Sequence, residues 1–144
     1  MECYIFDLDG TLADQAHRHH LIEQDPPDWD TYYTLCHLDS PIPHIVMLAG
    51  SLLDAGTRLV FASARSEICR AQTVEWLERH DLRGELYLRR MGDHRPDYIV
   101  KEEILDQILA DGWIPQMVFE DRTRVVEMWR VRGIPCAQIA PGDY

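Results

Sequence analysis

Two short apolar runs in this chain end in carboxylates. Asp7-Leu8-Asp9-Gly10-Thr11 closes the first, and Glu120-Asp121 closes a later one. Carboxylates at i and i+2 share one face of an extended chain, and Gly10 permits a sharp turn just beyond them. If the two runs are neighbouring strands, the acids meet at one point. Like charges so close drive one another toward protonation, and a hard divalent cation relieves the strain. An oxygen-only donor set suits Mg²⁺, so Asp7, Asp9, Glu120 and Asp121 are candidate metal ligands. Glu120 stays open between a metal-shell partner and an outward-facing residue at a strand end. Lys101 lies four residues after Asp97, on one face near a helix start, where Asp97 can orient the ammonium. Ser63-Ala64-Arg65 follows another apolar run and offers a hydroxyl, backbone N–H groups and a guanidinium. Such donors can hold the oxygens of a phosphoryl group.

The elements that must position these groups alternate. Apolar runs at Cys3–Phe6, Arg58–Ala62, Glu85–Leu88, Met117–Phe119 and Cys136–Ile139 read as strands. Helical spacing covers Ile42–Ala55, Ser66–His80, Pro96–Ala110 and Arg122–Arg132, with Gly56, Gly112 and Gly133 as stops. In the second helix the apolar stripe reads Ile68, Ala71, Val74 and Leu77, which leaves Trp76 at its edge. In the third it reads Ile99, Val100, Ile104 and Ile108. Alternating strands and helices predict right-handed βαβ units and a mostly parallel sheet covered on both faces, with ligands at the strands' carboxyl ends. Leu12–Pro43 breaks the pattern and reads as a weakly structured lid or flap. The expected organisation is a single α/β domain over residues 1–144, with the flap at about 12–43.

Composition bounds the function. Against 25 Asp+Glu stand 14 Lys+Arg, for a net charge of −11. That charge excludes a protein that coats long nucleic acids, although it permits grasping one terminal phosphate. Cys3, Cys36, Cys69 and Cys136 form no C-x-x-C pair, so they read as reduced thiols. With neither an apolar span nor a leader pattern, the expected location is the cytoplasm, with no membrane partner.

Asp7-Leu8-Asp9-Gly10-Thr11-Leu12 resembles the signature of the haloacid dehalogenase superfamily of phosphotransferases. Ser63 matches that superfamily's second motif, Lys101 its third, and Glu120-Asp121 its acidic fourth. Three further segments resemble the 3′-phosphatase domains of bacteriophage polynucleotide kinase/phosphatases: Ser63–Ser66, Gly92–Glu103 and Asp121–Arg130. The ending Gln138–Tyr144 does so too, whereas the likeness is weak across Asp14–Ser40. The resemblance implies a Rossmann-like fold with a minimal cap. It implies that Asp7 is a nucleophile forming an aspartyl-phosphate, and that Asp9 is the general acid and then the base. It implies Mg²⁺ held by Asp7, the Asp9 carbonyl and Asp121, and a phosphoryl group bound by Ser63 and Lys101, with Asp97 positioning Lys101. Arg18 and Arg65 match substrate-side arginines. The family carries Asp-Asp where this chain has Glu120-Asp121, and the segment after Arg65 is shorter here.

No G-x-x-x-x-G-K-[ST] loop occurs, so the kinase half is not expected in this chain. The reading is a Mg²⁺-dependent phosphomonoesterase, acting on a phosphorylated nucleic-acid 3′ end, with a kinase or ligase as a separate partner. A nucleotidase or small-ester phosphatase is the rival within enzymes, and a silent phosphate-end binding module the rival outside them. Intact Asp7 and Asp9 argue against silence. Among the remaining residues, His17, His19 and His20 fit no common zinc spacing and read as a solvated flap. Trp29, Tyr32 and Tyr33 read as packing the flap down, with base stacking as the alternative. Trp129 reads as core, and Arg89, Arg90 and Arg95 are candidates to face a polyanion.

Overall fold

The computed structural model describes residues 1–144. Five parallel strands form the central sheet: β1 (Glu2–Phe6), β4 (Leu59–Ser66), β5 (Glu85–Arg89), β6 (Ile114–Glu120) and β7 (Cys136–Gln138). Their order is β5-β4-β1-β6-β7, with Tyr4 opposite Leu59 and Phe6 opposite both Phe61 and Phe119. The chain moves outward from β1 to β4 and β5, then returns to the other side of β1. That reversal opens a crevice at the carboxyl ends of β1 and its neighbours. The fold is α/β, a parallel sheet with helices on both faces.

Period-two alternation assigns the sheet's two faces. Cys3 and Ile5 of β1, Val60 and Ala62 of β4, and Val118 of β6 face one core. Helices α5 (Asp97–Ala110) and α6 (Thr123–Val131) cover it with Val100, Ile104, Leu105, Ile108, Val125, Val126 and Trp129. Phe6, Leu59, Phe61 and Phe119 face the other core, under α3 (Pro43–Asp54) and α4 (Arg70–Arg79). The buried residues of α4 are Thr73, Trp76 and Leu77. Trp76 is therefore central and fully buried instead of lying at the edge. Ile68 leaves the expected stripe because the chain at Glu67–Cys69 is a 3₁₀ turn, capped by the Ser66 side chain.

Two further expectations need correction. β4 does not end at Ala62; it runs on through Ser63–Ser66, with an irregular register between Ala62 and Ser66 where it pairs with β5. The segment after β1 is not weakly structured. Short strands β2 (Ala13–Asp14) and β3 (Ser40–Pro41) pair antiparallel, and between them lie α1 (Ala16–Glu23), α2 (Trp29–Thr34) and a 3₁₀ turn at Cys36–Leu38. The flap is anchored from below: Trp76 Nε1–H donates to the Asp39 carbonyl at 2.8 Å. Periodicity missed these elements because α1 has almost no amphipathic pattern; its one buried residue is Arg18.

Trp76→Phe keeps an aromatic ring but strands the buried Asp39 carbonyl. We expect a loss of about 1–3 kcal/mol in urea unfolding, together with faster limited proteolysis within residues 14–40. A variant as stable and as protease-resistant as the parent would show that this bond does not anchor the flap.

Candidate active site

β1 and β6 end side by side, and alternation carries their next residues onto the α5 face. Asp7 follows Ile5 by two positions, and Glu120 follows Val118 by two. On α5, Lys101 shares the inward face with Ile104, Leu105 and Ile108, so it too points at the sheet. Lys101 Nζ donates to Asp7 Oδ1 at 2.6 Å and to Glu120 Oε2 at 2.7 Å. It is the only lysine in the chain. Thr11 Oγ1 donates to Asp7 Oδ2 at 2.9 Å, so both oxygens of Asp7 are held. Asp121 lies just past the strand, where alternation lapses. One oxygen each from Asp7, Glu120 and Asp121 therefore fall within 4.8 Å of one another. Gly10 makes that packing feasible. Its φ is +84°, and a Cβ there would sit 2.1 Å from Asp121 Oδ2.

The electrostatics follow from burial. Desolvation pushes the Asp7 carboxyl well above the usual range, Glu120 adds to the push, and Lys101 opposes it. Desolvation likewise raises Glu120 against the pull of Lys101. Although burial works against the Lys101 charge, Asp7 and Glu120 raise its proton affinity above that of an ordinary lysine. Glu120 thus resolves inward, as the second carboxylate on the ammonium. Backbone N–H groups of Asp121 and Arg122 approach its other oxygen, Oε1, at 3.2 and 3.4 Å.

The expected pairing of Asp97 with Lys101 is not formed. Asp97 accepts instead from Arg89 Nη2 at 2.8 Å and from Arg122 Nη1. Two guanidiniums reach it, one from the end of β5 and one from just past β6, while Lys101 is drawn to the more deeply buried acids.

Asp9 is held from the flap side. Arg18 Nη2 donates to its Oδ1 at 2.8 Å and Arg65 Nη2 at 2.7 Å, while Arg65 Nε lies 3.2 Å from each oxygen. Burial pushes Asp9 up, but Arg65 and Arg18 more than offset it and hold the carboxyl below its ordinary value. Behind the guanidiniums lies Asp39, which the sequence reading missed. It accepts from Arg18 Nε and Nη2 at 2.8 Å each and from Arg65 Nη2 at 3.0 Å, and His17 Nε2 lies 2.6 Å away. A lone Asp in a segment without periodicity carries no sequence signal. Arg18 and Arg65 are thus fully buried between two carboxylates, and Arg65 also lines the cleft. Ser63 is buried beside them, its Oγ accepting from the Arg65 N–H at 3.1 Å.

These groups floor one cleft of about 1130 Å³, lined among others by Asp7, Asp9, Ser63, Arg65, Lys101 and Asp121. Trp29, Tyr32 and Tyr33 of α2 form part of its wall, with Tyr32 buried and Trp29 open. Arg89 is spent on the Ala64, Asp93 and Arg95 carbonyls and on Asp97, and Arg95 is paired with Asp93 and Glu103. The chain's last residues border the metal-type cluster. The Tyr144 hydroxyl donates to Asp121 Oδ2, a contact with no sequence signal beyond the ending itself. A nucleophile-type carboxylate, an ammonium, a hydroxyl and a carboxylate fixed by guanidiniums suit transfer of a phosphoryl group.

Comparison with known proteins agrees. Residues 1–144 match the family described as the polynucleotide kinase PNKP phosphatase domain. A baculovirus protein (Autographa californica nuclear polyhedrosis virus), assigned by name as a bifunctional polynucleotide kinase/RNA ligase, is 29% identical over 140 residues. The match covers 96% of this chain and 19% of that protein. A solved chain of a Pnkp1/Rnl/Hen1 complex superposes with a TM-score of 0.82 at 26% identity, covering 99% of this chain and 46% of that one. A haloacid dehalogenase-like hydrolase of Streptococcus pneumoniae shares the fold, with a TM-score of 0.64 at 14% identity over 94% of this chain and 83% of its own. The chain thus spans under half of the polynucleotide-processing proteins it matches. With the acid cluster at the strand ends and a family match along its whole length, the chain belongs to the polynucleotide kinase phosphatase-domain family of the haloacid dehalogenase superfamily and is a phosphoric monoester hydrolase.

Proposed function

We propose that the protein removes the phosphate from a nucleic-acid 3′ end, through an aspartyl-phosphate on Asp7 and with Mg²⁺ bound. The observation that carries this reading is the pair of clamped carboxylates: Asp7 between Lys101 and Thr11, and Asp9 between Arg18 and Arg65. An Asp7 oxygen attacks phosphorus while the bond to the 3′ oxygen breaks, and Asp9 supplies the proton that the leaving oxygen takes. Water then attacks the phosphoryl-enzyme, Asp9 accepts its proton, and phosphate leaves Asp7 free. The guanidiniums favour the carboxylate form of Asp9, which suits the second step. A phosphoryl dianion seated beside Asp9 raises its proton affinity, which suits the first. Lys101 and Ser63 hold the phosphoryl oxygens, so Lys101 offsets charge on both the nucleophile and the transferring group.

The donor set fits Mg²⁺. Three buried carboxylates face a single ammonium, every donor is oxygen, and the Gly10 turn lets Asp121 approach without obstruction. Asp7, Asp121 and the Asp9 carbonyl would hold the ion, with Glu120 anchoring Lys101 beside them. Bound there, Mg²⁺ supplies Lewis-acid neutralisation of the phosphoryl oxygens. The names of the similar proteins support a nucleic-acid end as substrate and a polynucleotide kinase or RNA ligase as functional partner.

The direct experiment is phosphate release from oligonucleotides bearing a 3′ or a 5′ phosphate, alongside 3′- and 5′-mononucleotides. Faster release from 3′ ends is expected; a preference for 5′ phosphates would replace this reading with a nucleotidase. Asp7→Asn should abolish turnover while leaving the fold intact, and fluoroberyllate trapping should require both Asp7 and Mg²⁺. Normal turnover by Asp7→Asn would overturn the covalent mechanism.

The two acids at the end of β6 should separate in a metal titration. Asp121→Ala should raise the Mg²⁺ requirement steeply, while Glu120→Ala, by releasing Lys101, should lower kcat at saturating metal. The reverse order would exchange their roles. Because burial raises the proton affinities of Asp7 and Glu120, the metal-free protein retains protons there that the ion displaces. The gain in melting temperature on adding Mg²⁺ should therefore grow as pH rises above the ordinary carboxylate range. A gain that shrinks with rising pH would show that protons and metal do not compete at these acids.

A further inference from the structure

The cleft's cations are nearly all occupied. Arg65, Arg89, Arg95, Lys101, Arg122 and Arg124 line it. The first five have carboxylate partners within 4.0 Å: Asp9, Asp97, Glu103, Asp7 and Asp97 respectively. Arg124 alone lacks one and rests over the Tyr98 ring, 5.6 Å from its centroid. In a chain of net charge −11, this leaves little positive surface for a run of backbone phosphates.

The same cleft exposes apolar surface instead. Trp29 is 42% exposed, Ile68 39% and Met91 67%, and all three line it. Helix α2 packs on the 3₁₀ turn that carries Ile68, which brings the Trp29 and Ile68 segments together. Tyr33 stacks against Trp29 at 5.8 Å and 28°, and Tyr32 meets it edge-on at 5.7 Å and 83°. The indole is thus braced by two rings while much of its surface stays open. Exposed Trp, Ile and Met beside buried catalytic acids make a wall for a flat, apolar ligand surface.

We propose that the cleft selects its substrate by stacking the nucleobase of the terminal nucleotide on Trp29, against the wall of Ile68 and Met91, rather than by contacts to backbone phosphates. This deepens the 3′-end reading, on which it rests for the identity of the ligand. One stacked base next to the phosphoryl group is a short footprint. Affinity should saturate within one or two nucleotides and depend weakly on salt, since Arg124 is the single cation free for a further phosphate.

The test compares a short oligonucleotide ending in a base-bearing 3′-phosphorylated nucleotide with one whose terminal nucleotide is abasic. The native protein should prefer the base-bearing end by about 10-fold in kcat/KM, mainly through KM, as alanine-scan values for base stacking imply. In Trp29→Ala that ratio should collapse toward one, and Trp29→Phe should restore most of it, which a merely structural role for the indole would not do. In parallel, a 3′-phosphorylated dinucleotide should quench the native protein's tryptophan fluorescence, the abasic analogue should not, and Trp29→Ala should lose the response. Equal efficiency on the two ends, or a preference unchanged in Trp29→Ala, would overturn the stacking proposal. If no 3′ phosphate is released at all, the 3′-phosphatase reading fails by itself. Quenching then decides the platform: a base-dependent, Trp29-dependent signal sustains it, and its absence overturns it.

Discussion

The ammonium of Lys101, lodged between Asp7 and Glu120, is the contact on which the rest of the site depends. Three buried carboxylates at the end of two adjacent strands would repel one another strongly. One buried cation with short bonds to two of them holds the group together. Lys101 can do so because it takes a core position on α5, in line with Ile104, Leu105 and Ile108. A helix that buries a hydrophobic stripe against the sheet thereby also delivers a charge to the sheet's edge. Packing and electrostatics are here one constraint, and moving the helix would break both.

A second charge assembly links the flap to the chemistry. Asp9 and Asp39 sandwich the guanidiniums of Arg18 and Arg65, which come from α1 and β4. Asp39 belongs to the flap, and its backbone carbonyl is tied to Trp76 in the core beneath. The orientation of Asp9 thus rests on a chain of bonds that passes from the core through the flap. Buried guanidiniums with paired carboxylates contribute less to net stability than to holding one geometry. For a carboxylate proposed to give and take a proton at a defined atom, geometry is the property that matters.

Pairing has a consequence for recognition. Guanidiniums committed to internal carboxylates leave less free charge for the proposed substrate, and in this cleft almost all are committed. What stays open is the lone Arg124 and the apolar surface of Trp29, Ile68 and Met91. The relatives' polynucleotide-processing names and this chain's acidity are therefore compatible: an enzyme that acts on an end needs to grip one phosphoryl group, not a duplex.

The sequence by itself determined the order of strands and helices and which residues gather near the strands' carboxyl ends. Asp7, Asp9, Ser63, Lys101 and Asp121 were legible because strand–helix alternation predicts a parallel sheet, and such sheets gather ligands at their carboxyl edge. The flap's helices and the Asp39 hub were not legible. α1 buries an arginine where periodicity looks for an apolar residue, and its partner lies 21 positions away. The inward turn of Glu120 and the diversion of Asp97 to Arg89 and Arg122 were likewise settled only in three dimensions. Local patterns report which face of a strand or helix a residue occupies. Which of several oppositely charged groups it then pairs with depends on distances between segments remote in sequence, and those exist only once the sheet is assembled.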